Sequence, residues 1–258
     1  MELKKDMGLK NPNKKNKIDN KSSISAIITA AGRSSRMIKD LKNKGLTIEN
    51  KLLLPLNNET VIEKTINNVL NSNISEIILV LGHYGEKIKK HLDKLNYTKP
   101  IKIIKNKEIN VGLSSSLLNG INNTKNETIL CLPGDQPTVS TKTYNNLINE
   151  FFKENNSYSK DSNKNNGKIA ILRRKKWGEL NSPLGLGMPF ICSKNTIKPY
   201  LENENDNLNP ILIKMFNDGI KFYGIKENEA IELLNLNTYE EYQKYLKYLK
   251  TNKSACNK

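Results

Sequence analysis

The stretch "SAIITAAGRSSRM", residues 25–37, decides how this chain is read. A β-branched apolar run leads into Ala30, Ala31 and Gly32, and two arginines then follow among two serines. An isoleucine-rich run reads as a strand, and the small residues after it let the backbone turn with its amides uncovered. Successive uncovered N–H groups form an anion-binding concavity, and a helical turn just beyond would aim its positive end at the same spot. Ser34 and Ser35 add hydroxyl donors, while Arg33 and Arg36 add permanent charge and forked donors suited to phosphate oxygens. Neither G-x-x-x-x-G-K-[ST] nor G-x-G-x-x-G follows Gly32, so both common phosphate-loop patterns are absent. An ordinary strand-to-helix turn with solvated arginines has the same composition, and the stretch alone does not separate the two.

Outward from it, runs at 76–81, 101–105, 127–132 and 168–172 are nearly continuous in Ile, Leu and Val, as in strands covered on both faces. Amphipathic patterns at 60–71, 85–95, 114–122, 140–153 and 238–250 read as helices. The alternation predicts an α/β domain with a central, mostly parallel sheet flanked by helices. Ligands of such sheets sit beyond the carboxyl ends of the strands, where strand order reverses, so the loops after strands are where chemistry belongs. The Lys/Asn-rich residues 1–22 lack a hydrophobic period and read as a disordered basic arm before one domain over 23–250. The polar tract at about 154–167 reads as a surface insertion, and 251–258 as a flexible tail.

The 258 residues suffice for a substantial core. Lys plus Arg number 42 against 26 Asp plus Glu, and the resulting +16 favours anionic partners such as nucleotides and phosphorylated metabolites. No basic stripe interleaved with aromatics supports nucleic-acid binding, and much of the excess charge lies in the polar tracts. No apolar run reaches the ~18 residues of a membrane span, and the N-terminus lacks the apolar core of a secretion signal. We therefore expect a cytoplasmic protein with no membrane or nucleic-acid partner. Cys131, Cys192 and Cys256 form no C-x-x-C pair, and the first two lie in apolar runs, as buried reduced thiols do. His83 and His91 are too few and too isolated for a metal cluster; we read His83 as structural and His91 as a surface helix residue.

Two further loops are chemically loaded. In "LPGDQP", 132–137, Asp135 leaves a strongly apolar strand just before Pro137 turns the chain away. A carboxylate there suits Mg²⁺, which takes one or two carboxylates plus substrate phosphates; Asp before a proline turn is also a routine turn-former. In "VGLSSSLLNGI", 111–121, Gly112, Ser114, Ser115 and Ser116 precede an apolar helical pattern. Any of these serines could cap that helix, and a base-reading loop would use the same small polar groups.

In this order, "AAGRSSRM", "KLLLPL" at 51–56, "LVLGH" at 79–83, "GLSSSL" at 112–117 and "LPGDQP" resemble the molybdenum cofactor cytidylyltransferases, a branch of the molybdopterin nucleotidyltransferases. The resemblance covers roughly residues 24–248. It implies a single Rossmann-like nucleotidyltransferase domain and transfer of CMP from CTP to molybdopterin with release of pyrophosphate. It also implies Mg²⁺ as cofactor, and a recipient molybdoenzyme as a partner of the product. Ala30, Ala31, Gly32, Arg33, Ser34, Ser35 and Arg36 would hold the triphosphate with Lys51. Gly82, Gly112 and Ser114 to Ser116 would complete the nucleotide site, and Asp135 would bind the metal. Arg36, Lys51 and Asp135 would act in catalysis. The attacking phosphate oxygen is already anionic, so such a site needs alignment and charge stabilisation rather than a strong base. The motifs constrain phosphate handling more than base or acceptor. GTP or ATP, or a sugar phosphate or other phosphorylated acceptor, would keep the chemistry, and a non-enzymatic binding protein would keep the fold.

The chain departs from the family pattern in three places. The basic stretch 38–50 lengthens the path from Met37 to Lys51 and predicts a larger, mobile phosphate loop. "NLNTYEEY" places Asn235 and Asn237 where aspartates are usual; Asn237 is the expected second metal ligand, with Glu232 as a compensating carboxylate. In "RRKKWGELNSP", 173–183, Arg173, Arg174 and Ser182 would receive the acceptor, Ser182 standing where His or Asn is more usual. The same run also fits a solvated basic turn, and a lone Trp177 beside it fits packing better than stacking on a ligand.

Overall fold

The computed structural model describes residues 23–153, 167–173, 176–202, 204 and 207–256, with backbone alone for 253–256. The arm 1–22, residues 154–166 of the polar tract, Arg174 and residues 257–258 lie outside the described residues. The strands are β1 (Ile24–Ala30), β2 (Pro55–Leu56), β3 (Glu59–Thr60), β4 (Glu76–Leu81), β5 (Ile101–Lys105), β6 (Thr128–Pro133), β7 (Lys168–Leu172), β8 (Gly178–Glu179), β9 (Phe190–Ser193) and β10 (Lys221–Ile225). The helices are α1 (Ser35–Asn43), α2 (Val61–Leu70), α3 (Gly85–Leu92), α4 (Leu113–Asn122), α5 (Thr141–Phe152), α6 (Lys194–Leu201), α7 (Leu208–Asn217) and α8 (Tyr239–Cys256).

Eight strands form one sheet in the order β5-β4-β1-β6-β9-β7-β10-β8, and β2 and β3 pair as a separate hairpin. β5, β4, β1 and β6 run parallel. β9 is antiparallel to both β6 and β7, β10 is parallel to β7, and β8 closes the far edge antiparallel to β10. The mixed α/β sheet flanked by helices is the architecture the alternating pattern predicts. From β1 the chain moves to β4 and β5 on one side, then returns to β6 on the other. Strand order thus reverses at the carboxyl ends of β1 and β6, where an open α/β sheet leaves a crevice.

All seven residues of β1 are buried. The two-residue pleat sends Ala26, Ile28 and Ala30 into one apolar layer and Ile27 into the other. The first layer packs under α1, α2, α3, α5 and α8, the second under α4, α6 and α7. Helix α2 starts on a reciprocal cap: Glu63 N donates to Thr60 Oγ1 at 3.4 Å, and Thr60 N donates to Glu63 Oε2 at 2.6 Å. His91 Nε2 lies 2.7 Å from the other oxygen of Glu63, so His91 is tied to this cap rather than standing free on its helix.

The stretch 38–50 is not an enlarged phosphate loop. Its first part belongs to α1, because Met37 and Leu41, four residues apart, bury one stripe against the sheet. Gly45, at φ +64°, ends the helix: Gly45 N donates to Lys42 O at 3.1 Å and Leu46 N to Leu41 O at 3.0 Å. Beyond it, Glu49 is paired with Lys87 at 2.7 Å. At the other terminus, α8 runs to Cys256, and no glycine or proline interrupts 251–256. Among the described residues no helix is long and apolar enough to cross a membrane.

Candidate active site

Two adjoining cavities of about 210 Å³ and 520 Å³ open at the carboxyl ends of β1 and β6 and share Leu113, Pro133, Asp135 and Met188 as walls. The smaller is floored by the turn after β1. Ala30, Ala31, Gly32 and Ser34 line it, with Lys51 and Ser116 opposite. Ser34 sits in the left-handed region at φ 54° and precedes α1 without capping it. Its Oγ is buried and has no partner, an arrangement that leaves a donor ready for an anion at the start of a helix.

The turn "LPGDQP" is clamped from three sides. Gly134 N donates to Thr29 O at 2.9 Å, and Thr65 Oγ1 donates to Gly134 O at 3.0 Å. Asn68 Nδ2 and Tyr245 OH both donate to Pro137 O at 3.1 Å. The segment 235–237 lies along this turn, with Leu236 N donating to Asp135 O at 3.4 Å. Asp135 is thereby fixed at the boundary of the two cavities. Lys51, on a one-turn 3-10 helix (Lys51–Leu53) capped by Asn50 Oδ1, reaches the same boundary. Lys51 Nζ donates to Asp135 Oδ2 and, at 3.1 Å, to Asn237 Oδ1. Two oxygens from distant parts of the chain thus converge on one cationic position. Oxygen donors of this kind suit a hard cation, and in this structure the Lys51 ammonium bridges them.

The other expected residues are placed as follows. Arg36 lines the larger cavity. Arg33 is exposed and its guanidinium donates to Asn110 Oδ1, while Ser35 is the exposed first residue of α1. Gly82 packs beneath the turn, where a Cβ would stand 2.7 Å from the Ala31 Cβ. Gly112 is the extended residue before α4. Ser114 and Ser115 donate to Glu204 O at 3.2 and 3.0 Å, and Ser116 Oγ accepts from Asn106 Nδ2 at 2.8 Å. Ser182 Oγ accepts from Leu184 N at 3.3 Å and lines neither cavity. Trp177 is exposed, with Lys226 Nζ 4.8 Å from its ring centre.

Glu232, the expected compensating carboxylate, is among the lining residues of the larger cavity. It is 1% exposed and fully engaged, accepting from Ser140 N at 3.1 Å, Asn228 N at 2.9 Å and Thr143 Oγ1 at 2.5 Å. It locks the start of α5 to the segment before α8. Asn235 Oδ1 accepts from Gln136 Nε2 at 2.9 Å. Arg173 is buried against Gly224 and behind Gly185, and burial pulls its pKa down from the ordinary arginine value. Gln136, Met188 and Asn209 were not marked by the sequence as site residues, yet all line the larger cavity. Gln136 was legible as the neighbour of Asp135. Met188 lies in the irregular segment just before β9 and Asn209 in the first turn of α7, and neither stretch carries a motif.

The profile of the MobA-like NTP transferase domain matches residues 26–203. A nucleotidyl transferase from Methanothermobacter thermautotroptrophicus superimposes with a TM-score of 0.78 at 34% identity, covering 89% of this chain and 99% of the other. The bifunctional protein GlmU of Acetivibrio thermocellus is 26% identical over 83% of this chain, which spans only 41% of that longer relative. Rv0371c of Mycobacterium tuberculosis H37Rv, solved in complex with manganese, shares the fold at a TM-score of 0.59 and 19% identity, over 88% of this chain and 99% of its own. By sequence and by fold, the chain belongs to the family of MobA-like NTP transferase domains.

Proposed function

We propose that the protein transfers CMP from CTP to molybdopterin, with Mg²⁺ held at Asp135 and Asn237. The observation that carries this reading is the meeting of two cavities of different character at one boundary, where oxygens of Asp135 and Asn237 converge. The smaller has the small-residue turn, the unpartnered Ser34 hydroxyl and Lys51 suited to a triphosphate. The larger has Arg36 at its side and the Arg173 guanidinium behind Gly185, suited to a phosphorylated acceptor. In the transfer, an acceptor phosphate oxygen bonds to the α-phosphorus of CTP while the bond from that phosphorus to the bridging oxygen breaks and pyrophosphate leaves. Asp135 and Asn237 orient the site, Arg36 and Lys51 offset the charge of two mutually repelling anions, and the buried turn keeps them in line. Mg²⁺, when bound, neutralises phosphate charge and polarises the reacting phosphoryl group. The serine-rich "GRSSRM" turn and the "GLSSSL" helix start support the cytidylyl branch.

The test is pyrophosphate release from purified protein with Mg²⁺, molybdenum-loaded molybdopterin and each nucleoside triphosphate in turn. Release with CTP alone is expected. Release only with GTP would overturn the cytidylyl assignment, and release only with a sugar phosphate as acceptor would overturn molybdopterin. Asp135→Asn should lose about 10²–10³-fold in turnover while keeping its unfolding temperature; near-normal activity would remove Asp135 from the reaction.

A further inference from the structure

We propose that Gln136 reads a hydrogen-bond donor on the acceptor, so that this end of the site selects phosphorylated molecules whose body presents an N–H or O–H there. The proposal rests on the larger cavity being the acceptor side. Gln136 lines that cavity, is 5% exposed and directly follows Asp135. Its Nε2 donates to Met188 O at 3.2 Å and to Asn235 Oδ1 at 2.9 Å. A backbone carbonyl can only accept, so the contact with Met188 fixes which end of the amide is nitrogen. The other end, Oε1, is buried and has no partner. Buried acceptors of this kind are costly and call for an explanation, and a ligand atom is the one the cavity offers. An amide oxygen only accepts, so that ligand atom must carry a proton.

A second orphan of opposite polarity lies behind a wall residue of the same cavity. Arg173 is 6% exposed and its Nη1 is buried without a partner. Nη1 lies 3.6 Å from where a Cβ on Gly185 would stand, and Gly185 is a wall of the larger cavity at φ +75°, where a side chain is disfavoured. A guanidinium only donates. The wall therefore asks for a donor at Gln136 and an acceptor or anion toward Arg173. A carboxylate or second phosphate placed at Gln136 would meet oxygen lone pairs and be rejected.

The experiment is a chemical double-mutant cycle read by calorimetric binding. One probe pair is molybdopterin and its analogue with the pterin N–H groups methylated; the other is glucose 1-phosphate and its singly deoxygenated series. Each is titrated into the wild-type chain and into Gln136→Leu. Wild type should bind the donor-bearing member about 10–100-fold more tightly than one analogue lacking a donor. Gln136→Leu should bind both members alike. Equal affinities in wild type, or discrimination retained in Gln136→Leu, would overturn the proposal. Should Gln136→Leu not fold, the wild-type comparison still decides. Discrimination among sugar phosphates with no binding of molybdopterin would support Gln136 and overturn the molybdopterin reading. Molybdopterin bound without discrimination would do the reverse, and binding of neither acceptor would overturn both.

Discussion

Gly82 offers the sharpest test of how the fold sets the phosphate turn. It directly follows β4 and lies under Ala31, and His83 N donates to Ala31 O at 3.3 Å. A Cβ on residue 82 would stand 2.7 Å from Ala31 Cβ, 2.8 Å from Ala31 O and 2.9 Å from Ala31 Cα. Two of these three atoms are backbone, so no flexible side chain can swing aside. Restoring ordinary contact at ~3.4 Å requires the turn to lift by about 0.7 Å, and a misplacement near 1 Å in a reacting geometry costs on the order of 10²-fold. Overpacking at a close backbone approach costs about 1–3 kcal/mol, or roughly 3–10 °C of unfolding temperature for a chain of this size. Gly82→Ala should therefore lower nucleotidyl transfer about 10–100-fold at saturating acceptor, with weaker CTP binding by calorimetry. Gly167→Ala is the control. Its Cβ would meet the Thr196 side chain at 2.3 Å, far from either cavity, so it should lose stability but not CTP affinity. If Gly82→Ala binds CTP and turns over like wild type, the turn is not held by this contact and the reasoning fails.

Other outcomes follow from the same contacts. Asn237→Asp adds a carboxylate beside Lys51 and Asp135, and the Mg²⁺ concentration giving half-maximal transfer should fall about 3–10-fold; an unchanged or higher value would remove residue 237 from the metal site. Glu232→Ala strands the buried Thr143 hydroxyl and releases the N–H groups of Ser140 and Asn228, so urea denaturation should show a loss of about 1–3 kcal/mol, and a change below about 0.5 kcal/mol would contradict the lock. Cys131 and Cys192 are wholly buried, and burial pushes both thiols well above the ordinary range. Iodoacetamide at neutral pH should leave both unmodified in the native protein and label both after denaturation, as read by peptide mass spectrometry; rapid native labelling would place them at the surface.

Much of the fold was legible because burial on both faces leaves a dense apolar record. The runs at 76–81 and 101–105 coincide with β4 and β5, and the pattern at 60–71 differs from α2 by one residue at each end. Helix α1 was hidden because only Met37 and Leu41 of its apolar stripe are buried, among lysines, arginine and aspartate that read as loop. β9 was hidden because four residues carry too little period, and its place between β6 and β7 depends on strands from both halves of the chain.

For the site, the sequence by itself determined the chemistry of the parts: a small-residue turn with serines and arginines, a lysine, and a carboxylate leaving a buried strand. Strand, turn and helix chemistry act over a few residues, so they are written locally. Tertiary structure decided which parts meet. Lys51 finds Asp135 across 84 positions and Asn237 across 186, Glu232 ties the start of α5 to the segment before α8, and Gln136, a wall of the larger cavity, is left with a buried oxygen that has no partner. Such pairings depend on distances of a few ångströms between segments far apart in the chain, and only the packed sheet and its two helix layers bring those distances into being.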